Sequence, residues 1–118
     1  MRVAVTFVAL LAAVALVGTA LAAGSPAAGK TVWNANGCGG CHTFKAAGST
    51  GMVGPAITKA RIAADAKKAK KTVPVFIRAS VVTPNAFIAK GYKKGLMPAS
   101  AKLTKKQLDD LVAFIQKG

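Results

Sequence analysis

The pattern of apolar and polar positions divides the chain into a series of short stretches. The first, Val3 to Val17, carries no polar side chain apart from Thr6 and follows a single cation at Arg2. Gly18-Thr19 interrupts it, and Ala20-Leu21-Ala22 then places small residues where an export peptidase reads them, so residues 1–22 are expected to be a signal peptide. The competing expectation is an uncleaved anchor, because Val3 to Ala23 has no charge and is long enough to span a bilayer. Gly24 to Gly29 reads as a flexible lead-in. Lys30 to Asn36 is expected to be a helix with Val32 and Trp33 facing inward, and Thr43 to Val53, rich in Gly and Ser, a loop.

The second half carries stronger periodicity. Ile62, Ala66, Ala69 and Val73 recur at helical spacing through an Ala- and Lys-rich segment, Lys59 to Lys71. Thr72 can cap a helix with Pro74 in its first turn and Phe76 and Ile77 inward. Thr83-Pro84 repeats that start signal, with Lys90-Gly91 as the stop. Tyr92 to Leu96 is an irregular basic loop. Finally, Thr104-Lys105-Lys106-Gln107 is a capping box, followed by Leu108, Leu111, Val112 and Ile115 at helical spacing with Phe114 beside them. The pattern predicts an all-α domain over residues 23–118.

Without the leader, 96 residues remain, enough for one domain with a modest core. The charge is lopsided. Only Arg2 leaves with the leader, so sixteen Lys and Arg face Asp65, Asp109 and Asp110, and the mature chain carries +13. Such a charge suits an anionic partner. Nucleic acid is not expected for an exported chain, which leaves an acidic protein surface or an anionic membrane face. Lys59 to Lys71 holds six of the cations against Asp65 alone and reads first as a solvated helix, second as a docking patch.

The chemistry is concentrated in Cys38-Gly39-Gly40-Cys41-His42. Two thiols three positions apart, followed at once by an imidazole, form the attachment signature of c-type haem. Each thiol adds to one vinyl group, and the histidine then faces the iron. Gly39 and Gly40 carry no side chain to obstruct the porphyrin. A dithiol redox motif leaves the histidine unexplained. A structural zinc site needs four ligands, and the chain has two Cys and one His. A lone disulfide would close too short a loop to stabilise much. Covalent haem also supplies the apolar centre that so short a chain needs.

Gly29-x-x-x-Trp33, the Cys38–His42 motif, Gly54-Pro55, Leu96-Met97-Pro98 and the C-terminal amphipathic helix together resemble class I c-type cytochromes. Val75 to Ser80, Pro84-Asn85-Ala86-Phe87, Gly91-Tyr92 and Met97-Pro98 are most similar to the cytochrome-c domains associated with haem–copper oxidases. The resemblance implies a cytochrome c fold of four to five short helices and loops around one haem c. It implies haem contacts from Cys38, Cys41, His42, Pro55, Tyr92 and Met97, with His42 and Met97 on the iron. The Pro55 carbonyl would accept the second imidazole N–H, fixing its tautomer. The terminal helices would cross, bringing Phe114 against Gly29 and Trp33. Trp33 is expected to be core rather than an electron conduit.

With one histidine in the chain, the second iron ligand would be a thioether. Met97 lies far enough along to reach the other face of a porphyrin, whereas Met52 precedes Gly54-Pro55 on the histidine side. These features together imply a one-electron carrier, not an enzyme. It would be monomeric and exported to the periplasm or the outer face of the cytoplasmic membrane. A quinol-oxidising cytochrome complex is the expected donor and a haem–copper oxidase the expected acceptor. Lys93 and Lys94 should rim the exposed haem edge. The alternative, a peroxidase or gas-binding haem protein, needs an open distal face.

Overall fold

The computed structural model describes residues 24–100 and 102–118, so the leader expected over residues 1–22 lies outside the described residues. Among them, four α-helices carry the fold: α1 (Pro26–Ala35), α2 (Lys59–Lys68), α3 (Val73–Val82) and α4 (Lys105–Lys117). No helix among these residues is long and apolar enough to cross a membrane. Among the described residues the one pairing of strands is β1 (Thr43–Phe44) with β2 (Ser49–Thr50), antiparallel, with Thr43 opposite Thr50 and Phe44 opposite Ser49. The domain is all-α apart from that short hairpin.

Helix α1 starts earlier than the periodicity implies. Ser25 caps it by accepting from the Ala28 amide at 3.2 Å, and Pro26 occupies the first turn, where a missing N–H costs nothing. The expected lead-in over Gly24 to Gly29 is therefore mostly helix. Its reason for ordering is tertiary. The Ser25 amide donates to Asp110 Oδ1 at 2.8 Å, tying the start of α1 to the middle of α4. Gly29 lies in the crossing itself: a Cβ there would fall 2.6 Å from Phe114 Cβ and collide with the Asp110 carbonyl. Only hydrogen on that Cα lets the two helices meet so closely.

Helix α4 has the capping box in full. Gln107 N–H donates to Thr104 Oγ1 at 3.1 Å, and the Thr104 amide donates back to Gln107 Oε1 at 2.9 Å. Leu111, Val112, Phe114 and Ile115 are buried on its inner face. Phe114 meets Trp33 and Phe44 in an aromatic triad, with centroids 6.2 Å and 5.1 Å away respectively. Trp33 and Phe44 are themselves 5.1 Å apart. Phe44 is only 2% exposed. The segment expected to be an undifferentiated loop therefore contains one of the most buried side chains of the domain, and the hairpin is what turns it inward.

Asp109 and Asp110 fasten α4 to its neighbours. Asp109 takes Lys105 at 2.8 Å and Arg78 of α3, while Asp110 takes Lys106 at 2.7 Å as well as the Ser25 amide. Hydrogen bonds from Lys105 first and then Arg78 hold the Asp109 carboxyl below its ordinary range, and Lys106 followed by Ser25 does the same for Asp110.

Helix α3 buries Phe76, Ile77 and Val81, as its apolar spacing implies. The helix expected from Thr83-Pro84 to Lys90 does not form. Only the single turn Pro84–Ala86 does, and Phe87 is already extended at φ −138°, ψ 123°. Helical continuation would carry Phe87 and Ile88 around a helix axis. The extended chain instead sets Phe87 against Phe76, at 5.2 Å between centroids, and runs Ile88 and Ala89 along a cavity. Gly91 and Gly95 then turn the chain at φ +90° and +85°.

Candidate functional site

That cavity is the centre of the domain. It is bounded by the turn after α1, the inner faces of α2, α3 and α4, and the loop from Phe87 to Pro98. Cys38, Cys41, His42, Pro55, Tyr92 and Met97 all line it. Met52 does not, and is 88% exposed.

The turn that carries the thiols is built by the backbone. Asn36 ends α1, and Gly37 reverses direction at φ +65°, a conformation that strains any residue with a Cβ. The Cys38 carbonyl then accepts from both the Cys41 and the His42 amides, at 3.2 Å and 3.1 Å. One tight turn thus gathers two thiols and an imidazole on one wall. The hairpin braces it from behind. Ser49 Oγ donates to the His42 carbonyl at 2.8 Å and accepts from the Phe44 amide at 3.1 Å, while Thr43 Oγ1 donates to the Gly51 carbonyl at 2.8 Å. A Cβ on Gly39 would lie 2.8 Å from Ser49 Cβ, whereas one on Gly40 meets nothing within 4 Å. The need for glycine at Gly39 comes from the hairpin as much as from anything in the cavity.

His42 is held from one side only. The Gly54 amide donates to the Cys41 carbonyl at 2.7 Å, bringing Pro55 round so that its carbonyl lies 2.7 Å from His42 Nδ1. A carbonyl can only accept, so Nδ1 donates to it, and in the neutral imidazole the lone pair is then on Nε2. Gly54 leaves room for the ring, since a Cβ there would lie 2.5 Å from His42 Cε1.

Burial pushes the Cys38 thiol above its ordinary value. A working dithiol redox centre needs the opposite shift, toward thiolate. The protonated thiol suits a cysteine whose sulfur ends in a covalent thioether.

The cavity is also lined by a residue that the sequence pattern did not single out. Arg61 of α2 lines the cavity, lies over the Tyr92 ring at 5.4 Å and pairs with Asp65 at 3.5 Å. The atom that pairs is Nε, which is buried and faces the Asp65 carboxylate without forming a well-aligned hydrogen bond. The only trace in the sequence is the i, i+4 spacing of Arg61 and Asp65 beside Ile62, which the surrounding lysines mask.

The donor set is therefore two thiols, an imidazole nitrogen, a thioether and the Arg61 guanidinium, in largely apolar surroundings. An iron porphyrin answers each of these: vinyl carbons for the thiols, iron for nitrogen and sulfur, carboxylates for Arg61. The residues fit the group. No curated protein matches the chain significantly. The family model described as Cytochrome c matches residues 26–118, from the first turn of α1 to the last residue.

Proposed function

Because the chain belongs to the cytochrome c family and so carries haem c through Cys38 and Cys41, we propose that it is an exported one-electron carrier with His42 and Met97 as its two iron ligands. Bound haem supplies one iron that gains and loses a single electron. The chain does the rest. Pro55 holds His42 so that Nε2 faces the cavity. Met97 offers a soft thioether, which favours ferrous iron and raises the potential. Arg61 provides a countercharge for a carboxylate. Buried Phe76, Ile77 and Leu111 keep water from the centre. Were His42 and Met97 both to hold the iron, no site would be left on it for a substrate, which would separate a carrier from a peroxidase or gas-binding protein.

The observation that carries this reading is the placement of the two methionines: Met97 lines the same cavity as His42, and Met52 stands in solvent. The test is the absorption spectrum of the purified protein. The ferric form should show the weak near-infrared band of thioether ligation, and the reduced form should not respond to carbon monoxide. Met97→Ala should abolish the band, lower the potential and admit the gas, while Met52→Ala leaves all three unchanged. If Met52→Ala removes the band and Met97→Ala keeps it, the ligand assignment is wrong.

The partner follows from charge. Lys93 lines the mouth of the cavity beside Met97, and Lys93 and Lys94 are exposed. An acidic haem–copper oxidase as acceptor, with a quinol-oxidising complex as donor, fits that rim. Its rate of reaction should fall as salt rises, since steering is screened over about 8 Å at physiological ionic strength. A rate that climbs with salt rules out an acidic partner.

A further inference from the structure

Met97 sits in a stretch with little packing to hold it. Lys93, Lys94, Gly95, Leu96, Pro98 and Ala99 around it are all exposed. Among the described residues, one hydrogen bond reaches from this stretch to another part of the chain: the Gly95 amide donates to Asn85 Oδ1 at 2.8 Å. Gly95 takes φ +85°, a conformation that strains any residue with a Cβ, and lies just before Leu96 and Met97. Beyond Met97, the Ser100 amide donates to the Val81 carbonyl at 3.0 Å. The thioether is thus carried between two fastenings. One joins backbone to backbone, and the other is made by a side chain.

Asn85 is well placed to hold its end. It belongs to the single turn Pro84–Ala86, closed by the Ala86 amide on the Thr83 carbonyl at 3.0 Å. Pro84 is buried and lines the cavity, so the turn is fixed to the cavity wall. Short polar side chains usually bond backbone groups within a few residues of their own. Asn85 does not. No side chain caps this turn, and Asn85 Oδ1 reaches ten residues forward instead. Being exposed, Asn85 adds nothing to the core, and it does not line the cavity. The bond to Gly95 is the contact that gives it a role. At the start of the loop Tyr92 lies under Arg61 at 5.4 Å, but that contact is farther from Met97 along the chain.

We propose that Asn85 is a positioning residue for Met97. It acts through Gly95, fixing the loop so that the thioether stays directed into the cavity. The inference rests on the reading of Met97 as an iron ligand. Loss of the bond leaves the ligand set as it is and raises the fraction of molecules in which the thioether has left the iron.

The experiment is titration of the ferric haem-loaded protein with imidazole, followed in the absorption spectrum. Imidazole competes with the thioether, so its apparent affinity is its intrinsic affinity scaled by the fraction of molecules with Met97 released. Asn85→Ala should raise that affinity about fivefold, the population change that one hydrogen bond of ordinary net strength produces. The near-infrared band should still be present before imidazole is added. Asn85→Asp keeps an acceptor oxygen and should stay within about twofold of the parent, less than the loss of the bond. Met97→Ala should tighten imidazole far more than Asn85→Ala does. Asn85→Ala added to Met97→Ala should then change nothing further, because no thioether is left to release. An affinity untouched by Asn85→Ala overturns the proposal while leaving Met97 on the iron. An equal effect of Asn85→Ala in the Met97→Ala background also overturns it, since the side chain then acts elsewhere. Should Met97→Ala itself leave the affinity unchanged, the ligand assignment falls first and the proposal with it.

Discussion

The two walls of the cavity are built in opposite ways. On the His42 side the chain is tied to itself within a few residues. Cys38 closes on Cys41 and His42, Gly54 bonds Cys41, Pro55 bonds His42, and Ser49 and Thr43 brace the turn from the hairpin. On the Met97 side the chain from Phe87 to Pro98 has few such ties: Tyr92 N–H to Ala89 at 3.1 Å, Gly95 N–H to the Asn85 side chain at 2.8 Å, and the Arg61–Tyr92 contact. Leu96 is 53% exposed on this loop, whereas Phe44, packed behind the other wall against Trp33 and Phe114, is 2% exposed. The first wall is held by many local hydrogen bonds, the second by few.

The sharpest way to break the comparison is to remove the anchor of the first wall. Phe44→Ala should destabilise the domain by about 3–5 kcal/mol, the usual range for emptying a buried aromatic site. Phe87→Ala, half-buried in the second wall, should cost about 1–2 kcal/mol in proportion to the apolar surface it loses. Denaturant unfolding of the two variants decides it, and equal losses would mean that the walls contribute alike.

Amide hydrogen exchange on the haem-loaded protein sharpens the contrast residue by residue. The amides of His42 and Gly54 should exchange at least about tenfold more slowly than those of Tyr92 and Gly95, as expected where local opening is cheaper. Comparable protection would show that the loop is as well held as the turn.

The smallest effect lies outside both walls, at the clasp between α1 and α4. The carboxyls of Asp109 and Asp110 are lowered by Lys105 and Arg78 and by Lys106 and Ser25 respectively. Each therefore adds stability above the unfolded carboxylate pKa of about 4. That stability is lost as pH falls from there through the lowered folded values. Thermal melts from neutral to acid pH should show this loss, and Asp110→Asn should reduce the acid-dependent part. A variant whose acid sensitivity matches the parent would remove Asp110 from the account.

How much of this could be read along the chain depends on how local each feature is. The attachment turn is local: two thiols and an imidazole at fixed spacing identify their chemistry wherever they fold. The capping box of α4 and the inward faces of α3 and α4 are equally local, because one turn of helix brings together residues three and four apart. Close approach of Gly29 to Phe114 came through the resemblance rather than through any periodicity.

The remainder was decided between distant segments. Ser25 and Pro26 are ordinary helix starters, but what orders them is Asp110, far along the chain. Phe44 sits among glycines and small residues, where nothing marks it as core until Ser49 pairs across from it and Trp33 and Phe114 close over it. Thr83-Pro84 yields only a single turn: the Thr83 hydroxyl donates back to the Ala79 carbonyl instead of capping it, and Phe87 leaves the turn to pack on Phe76. Arg61 looked like one more cation in a basic run. Only the fold turns it inward over Tyr92 and buries its Nε against Asp65. Spacing reports what one stretch of backbone does with its own side chains; burial and unmet hydrogen bonds belong to surfaces that exist only after separate stretches have met.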